Sequence, residues 1–265
     1  MNRITAAFKR LRGERRCGLI AYVTCGDPDV PVTVDIVREL ERSGADLIEL
    51  GIPFSDPIAD GPVIQAASYR ALQRGTTIDD VFRIAASVRE QSTIPLIAFS
   101  YLNPILRYGL VRFAQRAAES GIDGVLVTDL PPEAADEFRA TMRGSGLVMI
   151  FLATPTTPDR RLRLIDRFSD GFVYYVSTTG VTGSRRELAE GLLERLKTIR
   201  QTLRHPLAVG FGVSRREHFL QLREVCDAVV VGSAIVNAVG EGDDREAPRR
   251  AGNVVRAILG GVPLP

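Results

Sequence analysis

The chain has 265 residues, of which 45% are hydrophobic and 25% are charged, with 34 Lys and Arg against 32 Asp and Glu. This composition excludes a disordered chain, a collagen-like repeat and a disulfide scaffold. The net charge of +2 predicts neither nucleic-acid nor membrane binding, and no apolar run approaches the roughly 18 residues of a membrane span. The absence of a signal-peptide pattern, together with three cysteines without CxxC spacing, predicts a cytoplasmic protein.

The predicted elements begin with a short helix and continue as alternating strands and helices. Ile4, Ala7, Phe8 and Leu11 form an apolar stripe at helical spacing in the first segment. Eight short apolar runs follow and are predicted strands: 19–24, 45–50, 95–100, 122–128, 147–152, 171–177, 206–211 and 227–232. Helical spacing is found between them, at 30–42, 79–90, 111–119, 132–143 and 185–204.

This alternation predicts parallel βα units. Eight units in 265 residues are typical of a single (β/α)8 TIM barrel, so we expect residues 1–265 to form one α/β domain. The N-terminal helix is expected to cover the bottom of the barrel, where the strands begin. An open doubly wound sheet is the alternative, but the residues after the first strand, 24–28, lack its Gly-x-Gly-x-x-Gly motif.

Two connections are longer than a bare βα unit needs, at residues 51–77 after strand 2 and 178–186 after strand 6. Both begin at the top of the barrel, where the strands end and active sites lie, so we expect extended functional loops there. A weak repeat is also present: the sequence Ser-Gly-Ala-Asp at residues 43–46 recurs as Ser-Gly-Ile-Asp at residues 120–123. Each copy predicts a glycine-terminated helix that leads into a strand.

Few side chains are available for Schiff-base, nucleophilic or metal chemistry. The only lysines are Lys9 and Lys197, and the only histidines are His205 and His218. All four are predicted to lie away from the top face, so we expect neither a Schiff base nor a metal site. Cys25 follows the first strand, but with no histidine to activate it we interpret it as a small apolar residue.

The carboxylates are therefore the remaining candidates for acid–base catalysis. Glu49 lies near the end of an apolar strand and faces the side opposite to Ile48 and Leu50. If those two face the helices, Glu49 points into the barrel mouth, where partial desolvation raises its pKa toward the range useful for proton transfer. Asp60 lies on the long loop that follows. The alternatives are a structural carboxylate for Glu49 and an ordinary turn residue for Asp60.

Glycines after the last three strands predict a phosphate site. Gly183 follows strand 6, Gly212 follows strand 7, and Gly232 with Ser233 ends strand 8 and opens an apolar helix. Glycine permits close approach of an anion to backbone N–H groups, and barrels often bind phosphate after strands 7 and 8. Each glycine taken alone is more simply explained by a turn.

The motif Leu-Ile-Glu-Leu-Gly-Ile-Pro-Phe-Ser-Asp-Pro-Ile-Ala-Asp-Gly-Pro-Val-Ile-Gln, at residues 47–65, resembles the signature of the tryptophan synthase α-chain family. The later segments Gly-Val-Thr-Gly, Gly-Phe-Gly-Val-Ser and Val-Val-Val-Gly-Ser-Ala resemble that family's in the same order, over nearly the whole chain. The resemblance implies a (β/α)8 barrel that cleaves indole-3-glycerol phosphate to indole and glyceraldehyde 3-phosphate.

The resemblance also implies residue roles. Glu49 and Asp60 match the family's catalytic pair, and Tyr174 matches a tyrosine near the glutamate. Tyr22 takes a position where phenylalanine is common, a mild change that keeps a ring against indole. The remaining matches are to substrate-binding positions: Thr182, in a closing loop from which it reaches the aspartate, and Gly183, Gly212, Gly232 and Ser233 at the phosphate.

The resemblance further implies a pyridoxal-phosphate β chain as partner in an αββα assembly, with no cofactor on this chain. The expected contact face is the top of the barrel, at residues 53–62 and at Asn103-Pro104. The alternatives are a stand-alone indole-glycerol-phosphate lyase, another phosphate-binding barrel enzyme, and a non-catalytic interaction subunit. The last of these could dispense with Glu49 or Asp60.

Overall fold

The computed structural model describes residues 2–176, 191–210 and 212–262. Eight parallel strands close into a barrel in chain order, with β1 beside β8. The strands are β1 (Gly18–Thr24), β2 (Leu47–Gly51), β3 (Leu96–Ser100), β4 (Gly124–Val127), β5 (Val148–Ala153), β6 (Val173–Val176), β7 (Leu207–Gly210) and β8 (Ala228–Val231). The predicted (β/α)8 barrel is confirmed and the open sheet is excluded.

Helices surround the barrel. They are α1 (Arg3–Gly13), α2 (Val30–Arg42), α3 (Pro62–Gln73), α4 (Ile78–Arg89), α5 (Leu102–Tyr108), α6 (Leu110–Glu119), α7 (Asp136–Gly144), α8 (Asp159–Phe168), α9 (Leu192–Thr202), α10 (Arg216–Leu222), α11 (Ser233–Val239) and α12 (Ala247–Leu259). In the part of the chain that is described, no helix has the length and apolarity to cross a bilayer.

Two predictions differ from the structure, and two further predicted segments cannot be compared with it. Within the expected loop at 51–77, residues 62–73 form α3, whose Pro62 occupies the first turn, where a missing N–H costs nothing. The helix expected at 132–143 is divided into a 3₁₀ turn, Pro132–Ala134, and α7. The expected loop at 178–186 and the start of the helix expected at 185–204 lie outside the described residues.

Two apolar layers build the core. Alternate side chains of each strand point outward against the helices, as Ile48 and Leu50 of β2 do, and these form the larger layer. The others fill the barrel interior, where Ile20, Leu47 and Ile97 belong to one buried cluster. The apolar face of α1 joins this interior cluster, so the predicted helix does cover the bottom of the barrel.

Close packing of α1 depends on a glycine at the bottom of β4. A side-chain carbon on Gly124 would lie 2.7 Å from Cδ1 of Ile4 and 2.9 Å from Cγ2 of Val148. Ile4 is buried and Val148 is half-buried, so moving either side chain aside would cost stability. Glycine therefore lets the helix seal the barrel.

An aspartate precedes each even-numbered strand at the bottom rim. These aspartates are Asp46, Asp123, Asp170 and Asp227, before β2, β4, β6 and β8. Each accepts a hydrogen bond from a backbone N–H near the start of the preceding strand, at 3.0, 2.9, 3.4 and 2.7 Å respectively. Each also pairs with at least one arginine, as Asp46 does with Arg10 and Arg16. Every buried carboxylate of this rim is thus neutralised and hydrogen-bonded.

Candidate active site

A cavity of about 540 Å³ opens at the top of the barrel. Its wall is mostly apolar, with polar groups converging from several strand ends, as ligand pockets usually are. The lining residues are Tyr22, Glu49, Ile58, Ala59, Asp60, Gly61, Ile64, Phe99, Thr128, Leu152, Thr154, Tyr174, Val176, Gly210, Gly212, Val230, Gly232 and Ser233. The cavity therefore brings together every site residue expected from the sequence that lies within the described part of the chain.

Glu49 lies at the floor of this cavity. It is on β2 and points inward because Ile48 and Leu50 face the helices. Its side chain is 0% exposed, and neither carboxyl oxygen has a hydrogen-bond partner among the described residues. Burial without a compensating charge raises its pKa from the ordinary 4.5 to about 8. At pH 7 the group is thus mainly protonated, and it can both give and take a proton.

Asp60 reaches the cavity from the loop between β2 and α3. Burial raises its pKa to about 6, and a hydrogen bond from Tyr101 opposes that rise. The Tyr101 hydroxyl also accepts a hydrogen bond from the N–H of Ala59, at 2.9 Å, which fixes the loop beside the aspartate. At pH 7 Asp60 is therefore mainly ionised, while Glu49 is mainly neutral. Two carboxyl groups in one cavity with separated pKa values are typical of an acid–base site.

Aromatic rings wall the space beside the two acids. Tyr22 pairs in register with Glu49 across β1 and β2, and its ring meets Phe99 edge to face, with centroids 5.3 Å apart. A side-chain carbon on Gly51 would overlap the Tyr22 hydroxyl, and one on Gly210 would lie 2.7 Å from the Tyr174 hydroxyl. Each ring is thus held beside a glycine of a neighbouring strand, and the wall suits a flat apolar group.

The opposite side of the cavity is lined by backbone. Gly212 has a φ of +65°, which favours glycine, and among the described residues no atom lies within 4 Å of the position where a side-chain carbon would stand. Ser233 begins α11, so its N–H has no acceptor in a preceding turn. Gly212, Gly232 and Ser233 line one cavity, as the phosphate hypothesis requires. The expected phosphate contact Gly183 and the expected closing-loop residue Thr182 lie outside the described residues.

The remaining candidates lie elsewhere. His205 is held at the bottom by Asp166, with 3.0 Å between its Nδ1 and the carboxylate. His218 belongs to α10, and neither lysine lines the cavity. Cys25 is fully buried among apolar side chains, which raises its thiol pKa. No group of three or more potential metal ligands occurs among the described residues.

A larger groove, of about 970 Å³, runs over the outer wall beside α8. It is lined largely by arginines and includes Asp166, which is already bonded to the backbone N–H of Arg204. The groove does not contain an unpartnered buried acid like Glu49. Volume alone therefore does not mark the functional site; the barrel mouth is distinguished by its chemistry.

Comparison with known proteins agrees with this geometry. Residues 8–257 match the family model described as tryptophan synthase alpha chain. The chain belongs to the tryptophan synthase alpha chain family. A protein of that name from Geotalea uraniireducens (strain Rf4) is 47% identical over 262 residues, which cover 99% of this chain and 98% of the relative. Another, from Solibacter usitatus (strain Ellin6076), is 50% identical over 93% of this chain and 92% of its own length.

Solved structures of the family share the fold. The tryptophan synthase alpha chain of Legionella pneumophila superposes with a TM-score of 0.89 at 37% identity, covering 97% of this chain and 96% of that one. A chain from the α2β2 complex of Pyrococcus furiosus gives a TM-score of 0.88 at 45% identity, covering 92% and 98%. Family membership confirms the predicted class of activity, a lyase of tryptophan biosynthesis.

Three polar residues near the two acids were not predicted from the sequence: Thr128 and Thr154, which line the cavity, and Tyr101. Tyr101 directly follows β3 and contacts Asp60, but its surroundings carry no glycine-rich or acidic signal. The rule that strand ends supply site residues could have found it. The apolar wall formed by Phe99, Leu152 and Val230 was also not predicted, because inward and outward strand positions carry the same residue types here.

Proposed function

We propose that this chain cleaves indole-3-glycerol phosphate to indole and glyceraldehyde 3-phosphate, with Glu49 and Asp60 as the catalytic residues. One observation carries the proposal: a fully buried glutamic acid with no hydrogen-bond partner among the described residues lies in the cavity at the barrel mouth. Leaving a buried polar group unsatisfied costs about 1–3 kcal/mol, a cost that a functional role explains.

Glu49 moves both protons of the reaction. In its neutral form it protonates C3 of the indole ring, which makes the ring an electron acceptor. As a carboxylate it then takes the proton of the glycerol hydroxyl while the carbon–carbon bond breaks and its electrons return to the ring. A pKa of about 8 suits both steps near neutral pH, because neither form is strongly disfavoured. Indole and the aldehyde are released and Glu49 is protonated again.

Asp60 stabilises the charge that this protonation creates. In its ionised form it accepts the indole N–H and faces the positive charge that develops on the ring. Its pKa of about 6 keeps it mainly ionised at pH 7. The hydrogen bond from the N–H of Ala59 to Tyr101 holds the loop in place. Less conformational entropy of the loop is therefore lost when the transition state forms.

The glycine-lined side of the cavity binds the phosphate. No described residue fills the space beside Gly212, so an anion can approach its backbone there, and Ser233 supplies an N–H and a hydroxyl. On the family resemblance we include Gly183 in this site, and we place Thr182 on a closing loop that reaches Asp60. Tyr22 and Tyr174 hold the indole ring at the aromatic wall. Tyr22 adds a hydroxyl where phenylalanine is common and adjusts the fit of the substrate.

A β chain receives the indole. A solved relative is an α2β2 complex, and in this chain the loop before α3 exposes Ile58 (85% exposed) beside the cavity. Leu106 of α5 is a second exposed apolar side chain, close in sequence to Asn103 and Pro104. These surfaces suit a docking face at the top of the barrel, in an αββα assembly. Pyridoxal phosphate then belongs to the partner, and this chain carries no cofactor.

The test is cleavage of indole-3-glycerol phosphate by the purified chain, with and without a β chain at matched concentration. We expect slow turnover alone and faster turnover with the partner, because docking supplies ordering energy to the loops. Turnover that the partner leaves unchanged, with no co-elution on sizing, would favour a stand-alone lyase. No turnover in either sample would favour another phosphate-binding enzyme or an interaction subunit.

We further propose that residues 1–265 fold as one domain in the cytoplasm. The N-terminal helix and β8 share one interior cluster, and α12 packs on α2, which joins the two ends of the chain. The free thiols of Cys17, Cys25 and Cys226 suit a reducing compartment. A single unfolding transition seen by both fluorescence and circular dichroism would support one domain; two transitions would contradict it.

A further inference from the structure

Two cysteines that are distant in sequence meet at the bottom of the barrel. Cys17 immediately precedes β1, and Cys226 lies just before β8, the strand that pairs with β1. Their sulfur atoms are 3.9 Å apart. Cys17 is half-buried and Cys226 is 9% exposed. Both are on the face opposite to the cavity that holds Glu49, and the proposed chemistry uses neither.

The backbone holds this pair at a distance suitable for a disulfide bond. Gly18 is in register with Ala228, and the N–H of Gly18 donates to the carbonyl of Asp227 at 2.9 Å. Continued by one residue, this register sets Cys17 opposite Asp227, so Cys226 is offset by one residue along the strand. A strand spacing of about 4.8 Å and a rise of about 3.3 Å per residue put the two α-carbons about 5.8 Å apart, within the roughly 4.4–6.8 Å that disulfides span. To reach a bond length of about 2 Å, each sulfur needs to move by only about 1 Å.

The pair lines a small basic cavity. Its volume is about 220 Å³, and Arg12, Arg15, Arg16 and Arg223 line it together with both cysteines. Arg16 and Arg223 pair with acidic side chains. The side chains of Arg12 and Arg15 form no ion pair within the described residues, although both are exposed at the cavity.

One carboxylate, that of Asp227, also lines the cavity, but Arg200 neutralises it at 2.7 Å. The unpaired charge at the thiols is therefore positive. Such an opening attracts small anions and disfavours small cations.

We propose that Cys17 and Cys226 form a redox modification site that reacts with small anionic disulfides of the glutathione type. The thiolate of Cys17, the more exposed sulfur, attacks the reagent and forms a mixed disulfide, and one glutathione thiolate leaves. Cys226 then loses its proton and attacks the Cys17 sulfur, and the second glutathione leaves. Two protein thiols are oxidised, one small disulfide is reduced to two thiols, and the two protein protons end on those thiols.

The experiment exposes the reduced full-length chain to glutathione disulfide and counts free thiols in denaturant. We expect the count to fall from three to one, the intact mass to fall by two hydrogen atoms, and a peptide pair to link Cys17 with Cys226. The bond closes a very long loop, so the melting temperature should rise by on the order of 5–10 °C and return on reduction. Three thiols remaining, or a disulfide between two chains, would overturn the proposal.

Matched cysteine variants separate the steps. Cys226→Ser should stop at a stable glutathione adduct on Cys17, whereas Cys17→Ser should react slowly because Cys226 is buried. Cys25→Ala serves as the control, since Cys25 is fully buried near the top, and it should still lose two thiols. Adducts on Cys25, or an internal bond that includes Cys25, would contradict the assignment.

The charge of the reagent tests the role of the cavity. Glutathione disulfide should react faster than neutral hydroxyethyl disulfide by on the order of tenfold, and cationic cystamine should be slowest. The double variant Arg12→Gln/Arg15→Gln should bring the three rates together, with indole-3-glycerol phosphate cleavage unchanged. Equal rates in the parent chain would overturn the proposed preference for anions.

Discussion

Asp46 and Glu49 lie three residues apart at opposite ends of β2, and both carboxyl groups are buried. Asp46, at the bottom, accepts the N–H of Leu19 and pairs with Arg10 and Arg16. Glu49, at the top, has no hydrogen-bond partner among the described residues. The carboxylate that precedes β2 is therefore satisfied and helps to hold the bottom of the barrel together, whereas the carboxyl group on β2 is unsatisfied and lies at the top, where we place the chemistry.

The difference extends to the whole barrel. Four aspartates at the bottom accept a backbone N–H of the preceding strand and pair with arginines. The acids at the top have raised pKa values because burial is not offset by positive charge. Removal of a bottom acid should therefore cost stability and leave the chemistry intact. Removal of a top acid should abolish the chemistry and leave stability intact or improve it.

The largest expected effect is that of Glu49→Gln. The amide keeps the shape of the side chain but cannot transfer the protons, so kcat should fall by about 10²–10⁴-fold. Single-turnover cleavage of indole-3-glycerol phosphate measures this loss, and binding of glycerol phosphate should remain near that of the parent. Asp46→Asn is the matched control on the same strand and should keep its turnover when folded. Near-normal turnover in Glu49→Gln would remove Glu49 from the mechanism.

For Asp60→Asn we expect a kcat loss on the order of 10²-fold, because a neutral amide does not stabilise a positive ring as an anion does. Asp60→Glu keeps the charge and should retain part of the activity. Steady-state kinetics of the two variants, measured beside the parent, decides the point. If Asp60→Asn and the parent are equally active, Asp60 is an ordinary turn residue.

At the bottom, Asp123→Ala should lower the free energy of unfolding by about 3 kcal/mol. The substitution leaves the largely buried Arg89 without its ion pair and the N–H of Leu96 without its acceptor. Urea denaturation measures the loss, and kcat of the folded variant should stay within about twofold of the parent. A stable variant with impaired catalysis would reverse the roles assigned to the two ends.

The pH dependence of cleavage should reflect both top acids. Activity requires ionised Asp60 and neutral Glu49 in the first proton transfer, so kcat/KM should rise near pH 6 and fall near pH 8. In Asp60→Glu the acidic limb should shift, while the alkaline limb should stay. A flat profile from pH 5 to 9 would mean that neither group titrates in the free enzyme.

A smaller effect concerns the pH dependence of the stability of the folded chain. The folded chain keeps a proton on Glu49 that the unfolded chain releases above its ordinary pKa of 4.5. The free energy of unfolding therefore decreases through Glu49 as the pH rises from 4.5 to about 8, and this loss is complete above about pH 8. Glu49→Gln should accordingly gain melting temperature relative to the parent over that window, as thermal denaturation can measure. A constant difference would mean that Glu49 has an ordinary pKa.

The sequence predicted the strands well because continuous apolar runs bounded by turns have few other interpretations. It also predicted the inward direction of Glu49, since strand alternation depends only on neighbours in sequence. The bottom rim was visible only as the repeated Ser-Gly-x-Asp, which contains Asp46 and Asp123. Their arginine partners could not be predicted, because Arg10 meets Asp46 only after the barrel has closed. The position of Tyr101 after β3 marks it as a candidate, but its contact with Asp60 also depends on closure of the barrel.

The most direct test of the account is the pKa of Glu49 itself. Carbon-13 labelling of glutamate carboxyl groups allows each to be titrated by NMR, and the Glu49→Gln variant identifies the signal that belongs to Glu49. We predict a titration midpoint of about 8 for this signal, well above the ordinary value of 4.5. A midpoint near 4.5 would mean that the carboxyl group is solvated or paired, and it would contradict the central claim that an unpartnered buried acid performs the proton transfers.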